Sequence, residues 1–98
     1  MTRAAVVRYT TKPERADENE RLIRAVFAEL AEKQPPGFWY RAVRLDDGVT
    51  FVHVAVQPDD GTPLSGIAAF GEFVAGIGDR CVEGPIATEG TVIGSFGS

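Results

Sequence analysis

The alternation of apolar and polar residues divides the first part of the chain into a strand and a helix. Residues 4–10 are rich in β-branched and aromatic side chains, which predicts a strand that ends at a Lys-Pro turn. From Pro13 onward, apolar residues recur every three or four positions, the period of an amphipathic helix. The apolar stripe consists of Ile23, Val26, Phe27, Leu30 and Ala31. Acidic residues near the start of this segment and the Gln-Pro-Pro-Gly sequence at 34–37 indicate its two ends.

The rest of the chain predicts a hairpin, a second helix and a last strand. Residues 38–45 and 49–57 are strand-like, and the Asp-Asp-Gly sequence between them is typical of a hairpin, because Gly accepts a positive φ. The further segments are a weaker helix over 64–77, a loop over 80–85 and a strand over 90–96. The order β-α-β-β-α-β predicts an α+β, ferredoxin-like sandwich.

The predicted hairpin strands are apolar on both faces. In the second strand, Val52, Val54 and Val56 share one face, while Phe51 and Ala55 lie on the other with His53 between them. A sheet that is apolar on both sides needs a cover on both sides. The two helices cover one side, so we expect a second copy of the chain to cover the other in a homodimer.

Composition narrows the class of protein. The 98 residues predict a single domain over 1–98, and the net charge of −4 without a Lys/Arg cluster argues against nucleic acid as a partner. With a single Cys (Cys81) and a single His, no disulfide and no metal centre are expected. The apolar run at 4–7 is too short for a signal peptide or a membrane span. These features predict a cytoplasmic protein with no membrane contact.

His53 is the first candidate for catalysis. It is either a general base with a pKa near neutrality or a hydrogen-bonded polar residue on a half-buried face. Arg41 is its candidate partner. A three-residue turn over 46–48 places Arg41 directly across the hairpin from His53, whereas a two-residue turn places it on the opposite face.

Four more side chains are candidate contacts to a small ligand: Asn19, Trp39, Tyr40 and Phe70. Trp39 and Tyr40 combine aromatic surface with a polar group, which suits a pocket for a flat ligand and equally suits a core or an interface. Asn19 lies on the apolar line of the first helix, so its amide either points into a cleft or lies near a solvated helix end. Phe70 packs the second helix and is also a candidate to line the cleft.

The chain resembles the antibiotic-biosynthesis-monooxygenase-like superfamily of dimeric α/β-barrel proteins over essentially its whole length. The segments that carry the resemblance are AAVVRYTTKP, ENERLIRAVFAEL, FWYRAVRLDDGVTFVHVAV, LSGIAAFGEFVAGIGDRC and GTVIGSFG. The resemblance implies a ligand cleft between the helices and the sheet in each protomer.

Members of this superfamily include cofactor-independent monooxygenases acting on polycyclic phenols, and haem-degrading enzymes that use an Asn, a Trp and a His. Asn19, Trp39 and His53 are of these types but do not match the positions of that motif, so no cofactor is expected. The resemblance implies a cofactor-free monooxygenase for a small aromatic or polyketide-like molecule, with His53 as base and Arg41 as the partner of an anion. The alternative is a non-catalytic ligand-binding or assembly module on the same scaffold.

Overall fold

The computed structural model describes residues 3–56 and 63–96, which form one antiparallel sheet and the helices that cover it. The elements in chain order are β1 (Arg3–Thr11), α1 (Ala16–Lys33), β2 (Trp39–Arg44), β3 (Thr50–Val56), α2 (Ala68–Ala75), α3 (Ile77–Arg80) and β4 (Cys81–Thr91). Short 3₁₀ turns at Pro13–Arg15 and Pro63–Gly66 precede α1 and α2. Residue 57, predicted as the end of the second hairpin strand, lies outside the described residues.

The sheet confirms the ferredoxin-like prediction. Its strand order is β2-β3-β1-β4 and all neighbouring strands are antiparallel. Pairing of β1 with β3 places Tyr9 opposite Phe51 and Val7 opposite His53. Because side chains alternate along a strand, these four residues share the face that the helices cover.

The hydrophobic core lies between the helices and this face of the sheet. The stripe predicted for α1 is buried at Ile23 and Val26, while Ala31 at its end is exposed. The buried cluster consists of Tyr9, Ala16, Ile23, Val26, Phe51, Ile67 and Phe73. Its aromatic members come from both strands and helices, so the core also fixes the position of α2 on the sheet.

The helix predicted over 64–77 is present but divided. A 3₁₀ turn, α2 and α3 follow one another, with Ile67 extended between the first two and Gly76 non-helical between the last two. Glycines in this segment lower its intrinsic helix stability, so tertiary contacts decide where each turn forms. In the part of the chain that the structure describes, no helix has the length and apolarity needed to cross a membrane.

The last strand differs from its prediction. The structure has a strand at Cys81–Thr91, where the sequence predicted a loop over 80–85 and a strand only from residue 90. Pairing with β1 is irregular between Arg8 and Thr10, and Gly84 lies at this irregularity with a φ of 80°. The Gly-Pro pair therefore forms a bulge in an edge strand, a place where a sheet tolerates proline.

Part of the second face of the sheet is uncovered in the single chain, as the hairpin pattern predicted, while residues 92–96 lie beside Trp39, Val54 and Val56. Val6 is 38% exposed, Val43 46% and Ile86 61%. These residues share the face with the half-buried Val52 and Val54. We call this apolar surface the open face.

Candidate functional site

The register of the hairpin decides which side chains accompany His53. Ala42 lies opposite His53, and Arg41 lies opposite Val54. The loop spans residues 46–49, one residue longer than the turn that would pair Arg41 with His53, and it is closed by a hydrogen bond from Leu45 N to Thr50 O of 2.8 Å. The predicted pair of His53 with Arg41 is therefore wrong.

Arg41 and Trp39 instead lie together on the open face. The Arg41 guanidinium is exposed and lies 5.0 Å from the centre of the Trp39 ring, a cation–π contact. The sheet separates both residues from His53. The structure thus places two of the six predicted site residues on the opposite side of the sheet from His53.

His53 lies buried between two tyrosine hydroxyls. Its Nε2 is 2.8 Å from Tyr9 Oη and its Nδ1 is 2.6 Å from Tyr40 Oη, and the side chain is only 4% exposed. Both ring nitrogens are therefore occupied. A ligand in this region meets the tyrosine side chains rather than a free imidazole nitrogen.

Burial sets the protonation of this trio. It lowers the pKa of His53 from 6.5 to about 4, because the imidazolium loses its hydration and has no carboxylate partner among the residues that the structure describes. Of the two alternatives that the sequence left open for His53, the geometry agrees with the hydrogen-bonded polar residue. Burial also raises the pKa of Tyr40 to about 12 and is the main cause of a raised pKa for Tyr9. All three groups are neutral at physiological pH and act through hydrogen bonds.

A second layer of buried polar groups lies behind Tyr9. Asn19 is 0% exposed; its Nδ2 donates to Tyr9 Oη at 2.9 Å, and its Oδ1 accepts from Arg80 Nε at 3.0 Å. Arg80 Nη2 also donates to Phe73 O at 2.6 Å. Asn19 therefore occupies neither of its predicted places, the cleft or a solvated helix end, because a buried partner satisfies each end of its amide.

A cavity of about 310 Å³ lies between α2 and the sheet, with this trio on its wall. Its position agrees with the cleft that the resemblance implied, and Phe70 lines it as predicted. The apolar part of the wall consists of Ala5, Val7, Ala55, Leu64, Phe70, Phe73, Val74, Ile77, Pro85 and Ala87. The structure therefore brings together Tyr40, His53 and Phe70, with Asn19 one layer behind.

Two residues of the site were missed by sequence reasoning. Tyr9 alternates with Val7 in the opening strand, but its proximity to His53 depends on the β1–β3 register. Arg80 is the last residue of α3, at a helix end where a charged side chain is normally solvated. The available signal was Asn19 itself, since an amide on an apolar helix line requires buried hydrogen-bond partners.

A second and larger groove, of about 620 Å³, runs between α1 and the edge strand β2. Arg44 in its wall donates to Asp17 at 3.1 Å and to Glu20 at 2.8 Å, so its charges are paired within the protein. The smaller cavity is the candidate site, because there polar groups converge on an apolar space. Within residues 3–56 and 63–96, no three His, Cys, Asp or Glu side chains are placed to hold a metal ion.

The fold is that of the antibiotic biosynthesis monooxygenases. A solved structure of an antibiotic biosynthesis monooxygenase is similar with a TM-score of 0.73 and 17% identity, covering 94% of this chain and 99% of its own. SnoaB, a cofactor-independent oxygenase from Streptomyces nogalater, is similar with a TM-score of 0.67 and 18% identity. The similarity covers 99% of this chain and 98% of SnoaB. A protein of unknown function from Nitrosomonas europaea is similar with a TM-score of 0.77 and 14% identity. The similarity covers 99% of this chain and 94% of that protein.

No family model and no curated protein matches the chain. The identities to the solved structures are low, so these similarities concern the fold. At that level they confirm the resemblance to the antibiotic-biosynthesis-monooxygenase-like superfamily.

Proposed function

We propose that the chain binds a small aromatic molecule in the cavity between α2 and the sheet and oxidises it as a cofactor-independent monooxygenase. The observation that carries this proposal is the Tyr9–His53–Tyr40 trio at one side of an otherwise apolar cavity. Its volume of about 310 Å³ lies at the lower end of the roughly 300–1,000 Å³ typical of small-molecule sites. The fold shared with SnoaB supports the choice of reaction class.

The chemistry requires little of the protein. An electron-rich phenol with a ring CH₂ group can react as CH₂ + O₂ → C=O + H₂O, in which the carbon supplies all four electrons and the second oxygen leaves as water. The chain's own contribution is to stack the ring against Phe70 and Phe73, to hydrogen-bond its oxygen at Tyr40, and to exclude bulk water. His53 holds Tyr40 in place rather than taking the proton, since both of its nitrogens are engaged.

Oxygen uptake tests this proposal. A panel of phenols, naphthols and hydroxylated anthrones is added to the protein, and dissolved oxygen is followed with an electrode. Ala87→Trp introduces bulk at an exposed residue of the cavity wall, and we expect it to abolish uptake. Ala25→Trp is the matched control, because this exposed alanine of α1 lies neither on the cavity wall nor on the open face. Equal rates in both variants would place the reaction elsewhere.

A non-catalytic ligand-binding module is the second candidate. It is favoured by the state of His53, whose pKa of about 4 and two occupied nitrogens make it a poor general base. The same panel separates the two functions. Thermal stabilisation by a phenol that is lost in Ala87→Trp, without oxygen uptake, identifies a binding module.

We also propose that a second copy of the chain covers the open face. Support comes from the exposed fractions of Val6, Val43 and Ile86, which lie together on one face of the sheet. Several apolar side chains exposed on one face of a sheet are typical of an interface.

A further inference from the structure

Arg80 carries a positive charge into the interior without a carboxylate to balance it. The side chain is 2% exposed, and no ion pair involves it in the described part of the chain. Its contacts are Asn19 Oδ1, the carbonyl oxygen of Phe73 and the face of the Phe73 ring at 5.3 Å. A guanidinium only donates hydrogen bonds, so Arg80 fixes the direction of the bonds that follow.

The hydrogen bond from Arg80 first determines the orientation of the Asn19 amide. Since Arg80 donates to Oδ1, the amide of Asn19 must present Nδ2 to Tyr9, and it donates to Tyr9 Oη. Tyr9 Oη therefore accepts from Asn19, and its own hydrogen needs an acceptor. Among the described residues, the remaining partner of this hydroxyl is His53 Nε2.

Burial then selects the tautomer of His53. If Nε2 carried the proton, the hydrogen of Tyr9 would be buried without an acceptor, at a cost of about 1–3 kcal/mol. The favoured tautomer carries its proton on Nδ1, accepts from Tyr9 and donates to Tyr40 Oη. The spare hydrogen at the end of this sequence is that of the Tyr40 hydroxyl, and Tyr40 lines the cavity.

We propose that the buried line from Arg80 through Asn19, Tyr9 and His53 makes Tyr40 a hydrogen-bond donor to the cavity. The preferred ligand is then an aromatic oxyanion, a phenolate or enolate. Asn19 and Arg80 are positioning residues, which act through the trio. This inference rests on the proposed binding of an aromatic molecule in the same cavity.

The charges around the trio agree with an anionic ligand. Arg80 from α3 contributes a buried positive charge, Tyr9, Tyr40 and Cys81 are neutral, and no carboxylate lines the described wall of the cavity. Glu18 interacts with Arg80 from α1, but its carboxylate pairs with Arg15 at 2.6 Å. If Arg80 served only to cap a carbonyl near the end of α2, the orientation of Asn19 would have no effect on the binding of a ligand in the cavity.

Asn19→Asp separates the two roles. The new carboxylate has nearly the same shape and still accepts from Arg80, but it cannot donate to Tyr9. Tyr9 must then donate to the carboxylate and accept from His53 Nε2–H, so that Nδ1 accepts from Tyr40. The hydrogen of Tyr40 turns inward, and the cavity loses its donor, while the buried guanidinium gains an opposite charge.

The probe is 4-nitrophenol, whose phenolate is measured by its absorbance. We expect the natural chain to bind the phenolate more tightly than the phenol, so that the bound probe has a lowered pKa. In Asn19→Asp we expect phenolate affinity to fall about tenfold to hundredfold, the range for one hydrogen bond to a charged group. Affinity for neutral 4-nitroanisole should stay within about threefold, and the melting temperature should be unchanged or raised.

Equal losses for the phenolate and the neutral probe, or no loss for either, overturn the inference. If the natural chain binds neither probe, the proposed function fails. If it binds the neutral probe without preferring the anion, only the inference that Tyr40 donates a hydrogen bond to an anionic ligand fails. Should Asn19→Asp not fold, Tyr40→Phe carries the same test, because it removes the donor and leaves Asn19 and Arg80 in place.

Discussion

At the scale of single residues, His53 shows how burial and hydrogen bonding together set the pKa of an ionisable group. Two tyrosine hydroxyls satisfy its ring, and each such neutral bond contributes about 1 kcal/mol. They do not replace the hydration that an imidazolium needs, and no carboxylate of the described residues faces the ring to compensate. Desolvation therefore dominates, and the pKa falls to about 4.

This lowered pKa predicts an acid-sensitive fold. The unfolded chain takes up a proton on His53 below pH 6.5, whereas the folded chain does so only near pH 4. Stability is therefore lost as pH falls through this window, by up to roughly 3 kcal/mol. Urea denaturation at several pH values measures the loss, and His53→Gln should remove it while keeping the contribution of the carboxylates. Parallel curves for the two proteins would contradict the assignment of this loss to His53.

At the scale of elements, β4 depends on a glycine that the side-chain pattern does not reveal. Gly84 has a φ of 80°, and a Cβ at this position would lie 2.9 Å from the carbonyl oxygen of Arg8. The bulge brings two backbones closer than any side chain permits. Beyond it, Pro85 and Ala87 reach the cavity wall, so the bulge also shapes the site.

Gly84→Ala should therefore destabilise the protein. The left-handed conformation alone costs a non-glycine residue about 1–2 kcal/mol, and the contact with Arg8 adds to this. Gly90→Ala in the same strand is the control, because no atom lies within 4 Å of its added Cβ. Chemical denaturation of both variants measures the difference. An equal free energy of unfolding in the two would mean that the bulge relaxes without cost.

The sequence predicts some secondary-structure elements of this protein better than others. β1, α1 and β3 follow from apolar periodicity, because each buries a regular set of side chains. The start of β4 was predicted as a loop, because Gly84 and Pro85 have the composition of a turn while the register with β1 makes them a bulge. Such a register depends on contacts between residues far apart in the chain, which local patterns do not contain.

The same reason limits prediction of the site. Tyr40, His53 and Phe70 were candidates from the sequence and line the cavity, but the sequence left open the hairpin register that brings the first two there. The predicted pairing of Arg41 with His53 was wrong, because one extra loop residue moves Arg41 to the other face of the sheet. Arg80 was missed because its burial follows from the placement of α3 against Asn19.

At the scale of the whole molecule, the sheet separates two surfaces with different properties. The helix side encloses the cavity and its buried polar line, while the open face is apolar and holds Trp39 with Arg41 stacked on it. Stable interfaces bury roughly 800 Å² on each partner, and we expect a dimer to bury the open face to about this extent. Assembly and ligand binding should therefore be separable by substitution.

Val43 and Val74 allow this separation to be tested, because they are 46% and 45% exposed and lie on opposite sides of the sheet. Val43→Glu introduces a charge on the open face, and we expect the mass measured by analytical ultracentrifugation to fall from that of a dimer to that of a monomer. Val74→Glu places the same charge on the cavity wall, where it should repel 4-nitrophenolate and leave the mass unchanged. A natural chain that sediments as a monomer, or a Val43→Glu variant that stays dimeric, would contradict pairing through the open face. Loss of phenolate binding on dissociation alone would instead show that the cavity needs the partner to complete it.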